Sequence, residues 1–255
     1  MANSERVAIV TGAARPWGLG RCTALGLAAR GLDIAVVDFR DDWGAEAVSA
    51  IKEKHGRNAV YVRTDLRQRG DIHAMVERVL REFGRIDVLV NVAAIGLGER
   101  VEDMKEETYE QIFRTNFWGT ALCCQAVLKQ MRSQKSGHIV NIASGGAITP
   151  YEGFALYCAA KAAVIQFSKV LALEEVKNGI VVNVVSPGPM HTAMGRESGP
   201  TEEDLRQLAA SYSMPLGRPC YLEEVADVIV FAATNPSNVL TGQTLHARGG
   251  ALPMV

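Results

Sequence analysis

Seven short runs of apolar, mostly β-branched residues recur along the chain: VAIV (7–10), DIAVVD (33–38), AVYVRTD (59–65), IDVLVN (86–91), HIVNIA (138–143), IVVNVVSPG (180–188) and QTLHA (243–247). Several are apolar at successive positions, not alternate ones, so both faces of the sheet they form must be covered. Between them lie segments of good helix formers at helical spacing, among them 20–31, 70–84 and 157–176. Strands alternating with helices dictate a parallel sheet, and right-handed crossovers wind it in both directions from its middle. The expectation is a doubly wound α/β fold of about seven strands in three layers. With no linker, low-complexity tract or repeat, the 255 residues read as one domain, 1–255.

Composition removes other classes. A formal net charge of −1 offers no basic face for nucleic acid. The chain has no uninterrupted apolar run of the roughly eighteen residues a membrane span needs, and MANSERVAIV leads straight into the first strand. A cytoplasmic protein with no membrane contact is expected. The cysteines (Cys22, Cys123, Cys124, Cys158, Cys220) are odd in number and form no C-x-x-C, which fits reduced thiols. The histidines lack metal-ligand spacing, so no metal is expected. The segments 116–131 and 157–176 are apolar on more than one side. A helix lying on a sheet needs one apolar stripe, so a second subunit is expected there, in a homodimer or homotetramer.

The first strand runs into AIVTGAARPWGLG (8–20). Strand, glycine turn and helix N-terminus make an anion site, because backbone N–H groups and the positive end of the helix dipole meet a pyrophosphate there. Gly12, Gly18 and Gly20 supply the glycines, and Asp38 closes the next strand about twenty residues on, where a carboxylate accepts from the ribose hydroxyls of an adenosine. A second constellation is Tyr157-Cys-Ala-Ala-Lys161. Residues four apart share a helix face, so the ammonium lies near the phenol and favours its ionised form, as a tyrosine acting as general acid/base requires. Ser144 ends the strand HIVNIAS at the edge of the sheet where ligands of such folds bind.

In this order these motifs resemble the short-chain dehydrogenase/reductase family in its compact, single-domain form. The likeness runs through TGAA…GLG (11–20), Asp38, TDL (64–66), NVAA (91–94), Asn116 in TNFWG, NIAS (141–144), YCAAK (157–161), VNVVSPG (182–188) and LTGQTLHARGG (240–250). It implies a Rossmann-type sheet and an NAD(P)-dependent alcohol dehydrogenase or carbonyl reductase. By the same resemblance Tyr157 is the acid/base, Lys161 holds the nicotinamide ribose and lowers the tyrosine pKa, and Ser144 positions the reacting oxygen. Asn116 holds a water that links Lys161 to solvent. Asp65 and Leu66 flank the adenine, Asn91 and Ala93 approach the ribose, and Pro187, Gly188, Met190 and Thr192 meet the nicotinamide side, Thr192 at the carboxamide. Leu19 belongs with the glycines of the turn.

The chain departs from the family in two places. Ala93 stands where the family's N-A-G has its glycine neighbourhood altered to Asn91-Val92-Ala93-Ala94, which narrows the cofactor side slightly. Gly12 and Gly18 are six apart where the family has four, so two residues are inserted around Arg15-Pro16-Trp17. Arg15 is expected to contact pyrophosphate or ribose, and Trp17 to pack over the turn. Enoyl reductases of the superfamily space tyrosine and lysine by seven, against four here. Asp38 opposes a 2′-phosphate, which makes NAD the expected cofactor, although Arg15 and Arg40 would favour NADP. The substrate side comprises 145–156 and a lid at 189–215, whose methionines and tyrosine suit a modest alcohol, ketone or polyol. Two other readings stand beside this one: an NADPH-dependent 3-oxoacyl-thioester reductase and a catalytically silent dinucleotide sensor.

Overall fold

A computed structural model of the protein describes residues 5–190, 192, 201–204, 207 and 215–250. Seven strands form one sheet: β1 (Val7–Thr11), β2 (Asp33–Asp38), β3 (Ala59–Arg63), β4 (Val88–Asn91), β5 (Gly137–Ile142), β6 (Ile180–Pro187) and β7 (Thr244–Ala247). Their order is β3-β2-β1-β4-β5-β6-β7 and every pairing is parallel. The chain winds from β1 outward to β3, returns to β4 beside β1, and winds the other way to β7. The turning point between β1 and β4 opens a crevice at the carboxyl ends of the strands.

The helices are α1 (Leu19–Ala29), α2 (Asp41–His55), α3 (Arg69–Phe83), α4 (Glu106–Phe113), α5 (Thr120–Gln134), α6 (Ala155–Glu175) and α7 (Leu222–Thr234). Alternate residues of each strand feed two cores. Ala8, Val10, Ile34 and Val36 pack with Leu27, Ile51 and Ile229 on one face, while Val7, Ile9, Ala35 and Val37 pack with Met75, Val127 and Leu171 on the other. This two-sided burial is what made the strand runs apolar throughout.

All seven strand runs of the sequence lie within two residues of the strands observed. The segment 116–131 differs. It belongs to a longer helical stretch in which a π-helical turn (Arg114–Gly119) joins α4 to α5. Asn116 in that turn accepts from the Ile95 N–H and donates to the Ile95 carbonyl, both at 2.8 Å. The extra residue per turn aims one side chain at a loop instead of along the helix. Helix α6, continued to Asn178, is long and apolar enough by composition to cross a membrane. It is a core helix, with Val164, Leu171 and Ala172 buried and its body packed on β6.

Candidate active site

The crevice is a cavity of about 810 Å³, floored by the ends of the central strands. At one end lies the glycine turn. Gly12 has φ +65°, and a side chain on it would meet the Ala93 Cα at 2.8 Å. Thr11 braces the same contact, its hydroxyl accepting from the N–H groups of Val92 (3.1 Å) and Ala93 (3.2 Å). A methyl on Gly20 would come within 2.2 Å of the Gly12 carbonyl oxygen, so only glycine lets α1 seat this closely on β1. Gly18 caps α1 without a side-chain bond, and the first turn carries no acidic residue. Gly18, Leu19 and Gly20 line the cavity, so the N-terminus of α1 lies beside it, which suits a pyrophosphate.

The inserted residues join the wall of the cavity. Arg15 and Trp17 are half-buried and line the cavity with Arg40 and Trp43. The guanidinium carbons of Arg15 and Arg40 lie 4.9 Å and 4.2 Å from the Trp43 ring centroid, and the Trp17 ring lies 6.4 Å from it. The Trp17 Nε1 is buried without an acceptor. Beneath the loop, Arg21 is 4 % exposed and donates to the carbonyls of Ala13 (3.4 Å), Ala14 and Trp43 (3.3 Å), and pairs with Glu46. It rivets the turn to the start of α2. Asp38 accepts from the N–H groups of Phe39 (2.8 Å) and Arg40 (3.4 Å) at one oxygen and of Ala14 (3.0 Å) at the other, which fixes its carboxylate at the rim and leaves the second oxygen a lone pair.

At the other end, Ser144, Tyr157 and Lys161 share one wall. Lys161 is 2 % exposed, donates to the Ile142 carbonyl at 2.8 Å, and places Nζ 6.0 Å from the Tyr157 ring centroid. Burial pulls the Lys161 ammonium down to about 8. Desolvation pushes the Tyr157 phenol up to about 12, against a hydrogen bond from Ser144 that draws it down, with Tyr151 and Cys158 adding to the rise. The lowering of this phenol by Lys161, expected from the sequence, is not what the protein alone shows. Burial dominates because the lysine is itself desolvated and engaged with a carbonyl. The tyrosine is therefore protonated at neutral pH, in the form that donates.

A family model described as enoyl-(acyl carrier protein) reductase matches residues 12–251. Among curated proteins, the chain is 38% identical over 248 residues to a 3-oxoacyl-[acyl-carrier-protein] reductase of Synechocystis, covering 97% of each. It is 36% identical to D-threitol dehydrogenase of Mycolicibacterium smegmatis, covering 96% of this chain and 92% of the other. L-sorbose reductase of Gluconobacter frateurii, solved with NADPH and L-sorbose, superposes with a TM-score of 0.91 at 29% identity over 99% of this chain and 98% of that one. The chain belongs to the short-chain dehydrogenase/reductase family.

Most residues expected for a short-chain dehydrogenase lie around this one cavity: Gly12, Arg15, Trp17, Gly18, Leu19, Gly20, Asp38, Asp65, Leu66, Ala93, Ser144, Tyr157, Lys161, Pro187, Gly188, Met190 and Thr192. Two are placed elsewhere. Asn116 is fully buried, with its amide turned to the Ile95 backbone, so it shapes the loop after β4. Asn91 donates to Asn141 at 2.8 Å in a buried polar cluster under the floor. The lid residues His191, Met194, Arg196, Glu197, Arg206, Tyr212 and Met214 lie outside the described residues. Arg21 and Trp43 belong to no motif of the sequence, and Tyr151 is expected only as part of the substrate-side segment 145–156. Their partners are distant in sequence or lie on an aperiodic loop, so no local pattern marks them.

Proposed function

We propose that this short-chain dehydrogenase/reductase transfers hydride between NAD and a secondary alcohol or ketone of modest, polyol-like size, with Tyr157 as general acid/base. The observation that carries the reading is Ser144, Tyr157 and Lys161 on one wall of a cavity whose other end is the glycine turn. The nicotinamide group, when bound, supplies or accepts the hydride. The chain does the rest. In reduction the Tyr157 hydroxyl donates its proton to the carbonyl oxygen, and in oxidation the phenolate removes the alcohol proton. Ser144 holds that oxygen and draws the phenol pKa down, and the Lys161 ammonium, 6.0 Å from the Tyr157 ring centroid, would hold the nicotinamide ribose. The π-helical turn at Asn116 keeps the loop after β4 in place beside them.

NAD is favoured by Asp38. Its carboxylate is held by three backbone amides, those of Ala14, Phe39 and Arg40, and cannot swing away from a 2′-phosphate. The second reading is an NADPH-dependent 3-oxoacyl-thioester reductase. Arg15 and Arg40, both stacked on Trp43, support it, as does the Synechocystis relative. The domain is a single unit with a substrate lid at 189–215. Trp118, Val170 and Leu173, exposed on the helical faces around α5 and α6, support a homodimer or homotetramer. The test is a panel of polyols, simple alcohols, steroids and 3-oxo-esters with each cofactor, followed by NAD(P)H absorbance. Turnover of a polyol or alcohol with kcat/KM higher for NAD is expected. Preference for NADP together with 3-oxo-esters moves the assignment to the second reading, and tight NADH binding with no turnover at all would make the protein a sensor.

A further inference from the structure

We infer that Tyr151 is a positioning residue that commits the single proton of Ser144 to the reacting oxygen. This rests on the function proposed above and concerns a residue outside the motifs of the sequence.

Ser144 has one proton to donate and two lone pairs to fill. Its Oγ accepts from the Gly146 N–H at 3.2 Å, which fills the first. The Tyr151 hydroxyl lies 3.1 Å from the same atom. Tyr157 stands on the same cavity wall as Ser144, whose hydroxyl draws its pKa down. When Tyr157 is a phenolate it can only accept, so Ser144 donates to it and Tyr151 must donate to Ser144. The three hydroxyls then form a one-way chain, Tyr151 to Ser144 to Tyr157. With substrate between Ser144 and Tyr157, the same filling of the lone pairs leaves the Ser144 proton nowhere to point except at the substrate oxygen. Without Tyr151, one lone pair is open and the hydroxyl is free to rotate away, diluting the productive orientation.

Packing holds Tyr151 in this role. Its ring lies against Gly146 so closely that a side chain there would meet the phenol carbons and oxygen at 2.8 Å. Phe154 stacks edge-on to Tyr151 at 6.2 Å and to Tyr157 at 6.3 Å, tying both phenols into one cluster. Tyr151 lines a neighbouring cavity of about 510 Å³, with Glu102, Glu152 and Cys158, and is not among the residues around the main one. Its hydrogen bond toward the catalytic wall is the one to Ser144.

Tyr151→Phe keeps the ring and removes the donor. Turnover by the full-length enzyme should fall about tenfold in kcat, with KM and NADH affinity changed less than twofold. In the Ser144→Ala background the same substitution should change kcat less than twofold, because the atom it acts through is gone. Tyr151→His, which retains a donor, should recover more of kcat than Tyr151→Phe. Equal losses in both backgrounds, a KM effect with kcat unchanged, or identical losses in the Phe and His variants would overturn the inference. Wild-type enzyme inactive on every substrate of the panel would instead overturn the function on which it rests.

Discussion

Lys161 and Tyr157 stand one helical turn apart, yet burial gives them opposite consequences in alkali. Lys161 has its ammonium pulled from 10.5 to about 8, so between those values the unfolded chain holds a proton that the folded chain has lost. Stability from this group rises with pH across that window. Tyr157 is raised from 10.0 to about 12, so there the folded chain keeps a proton that the unfolded chain releases, and stability falls. Between pH 8 and 10 only the lysine of this pair contributes, and the opposing effect of the buried cysteines, whose thiols are also pushed up by burial, cancels in a comparison with a lysine variant. Wild-type stability relative to Lys161→Met should therefore climb in that interval, by up to about 1.4 kcal/mol per pH unit. Urea unfolding of both proteins across the range checks it, and a constant difference would mean the ammonium is well solvated. The catalytic pattern itself was legible because serine, tyrosine and lysine fall in one short stretch at fixed spacing. The state of the phenol was not, since it depends on how deeply the wall is buried, which spacing does not encode.

Among the elements, the enlarged turn before α1 is the chain's most individual feature. Gly20 has no room for a methyl against the Gly12 carbonyl, so Gly20→Ala should destabilise the protein by about 1–3 kcal/mol, read as a lower urea midpoint. Arg21 is a different case, because it lies under the loop and touches neither wall of the catalytic end. Arg21→Met should raise KM for NAD about tenfold through a loosened Arg15–Trp17 segment, while kcat at saturating cofactor stays within twofold. Steady-state kinetics against cofactor concentration separate the two effects, and a fall in kcat alone would contradict this role. The strands could be read from sequence because a sheet covered on both faces leaves unbroken apolar runs. The π-helical turn could not, because its cause is Asn116 pairing with Ile95, twenty-one residues away, across a loop. Trp43 carries no local signal either, since it joins the glycine-turn end of the cavity only when α2 folds back beside the inserted residues.

At the scale of the whole molecule, one crevice at the turning point of the sheet gathers residues that follow six of the seven strands, from Gly12 to Gly188. That convergence is why an ordered set of weak motifs specifies a site: topology, not proximity in sequence, brings them together. The exposed Leu173 on α6, 78 % accessible, is the most open of the apolar side chains on the proposed subunit faces. Leu173→Glu should shift the protein toward monomer in sedimentation velocity, and an unchanged sedimentation coefficient would place the interface elsewhere. If Tyr157 is the acid/base of a working dehydrogenase and not a packing residue of a dinucleotide binder, removing its hydroxyl stops the chemistry and spares cofactor binding. The direct test is Tyr157→Phe, with NADH affinity measured by fluorescence titration beside turnover of the best substrate of the panel. Turnover at least about a thousandfold lower with NADH affinity within threefold of wild type is the predicted result. Turnover retained, or lost in step with NADH binding, would contradict it.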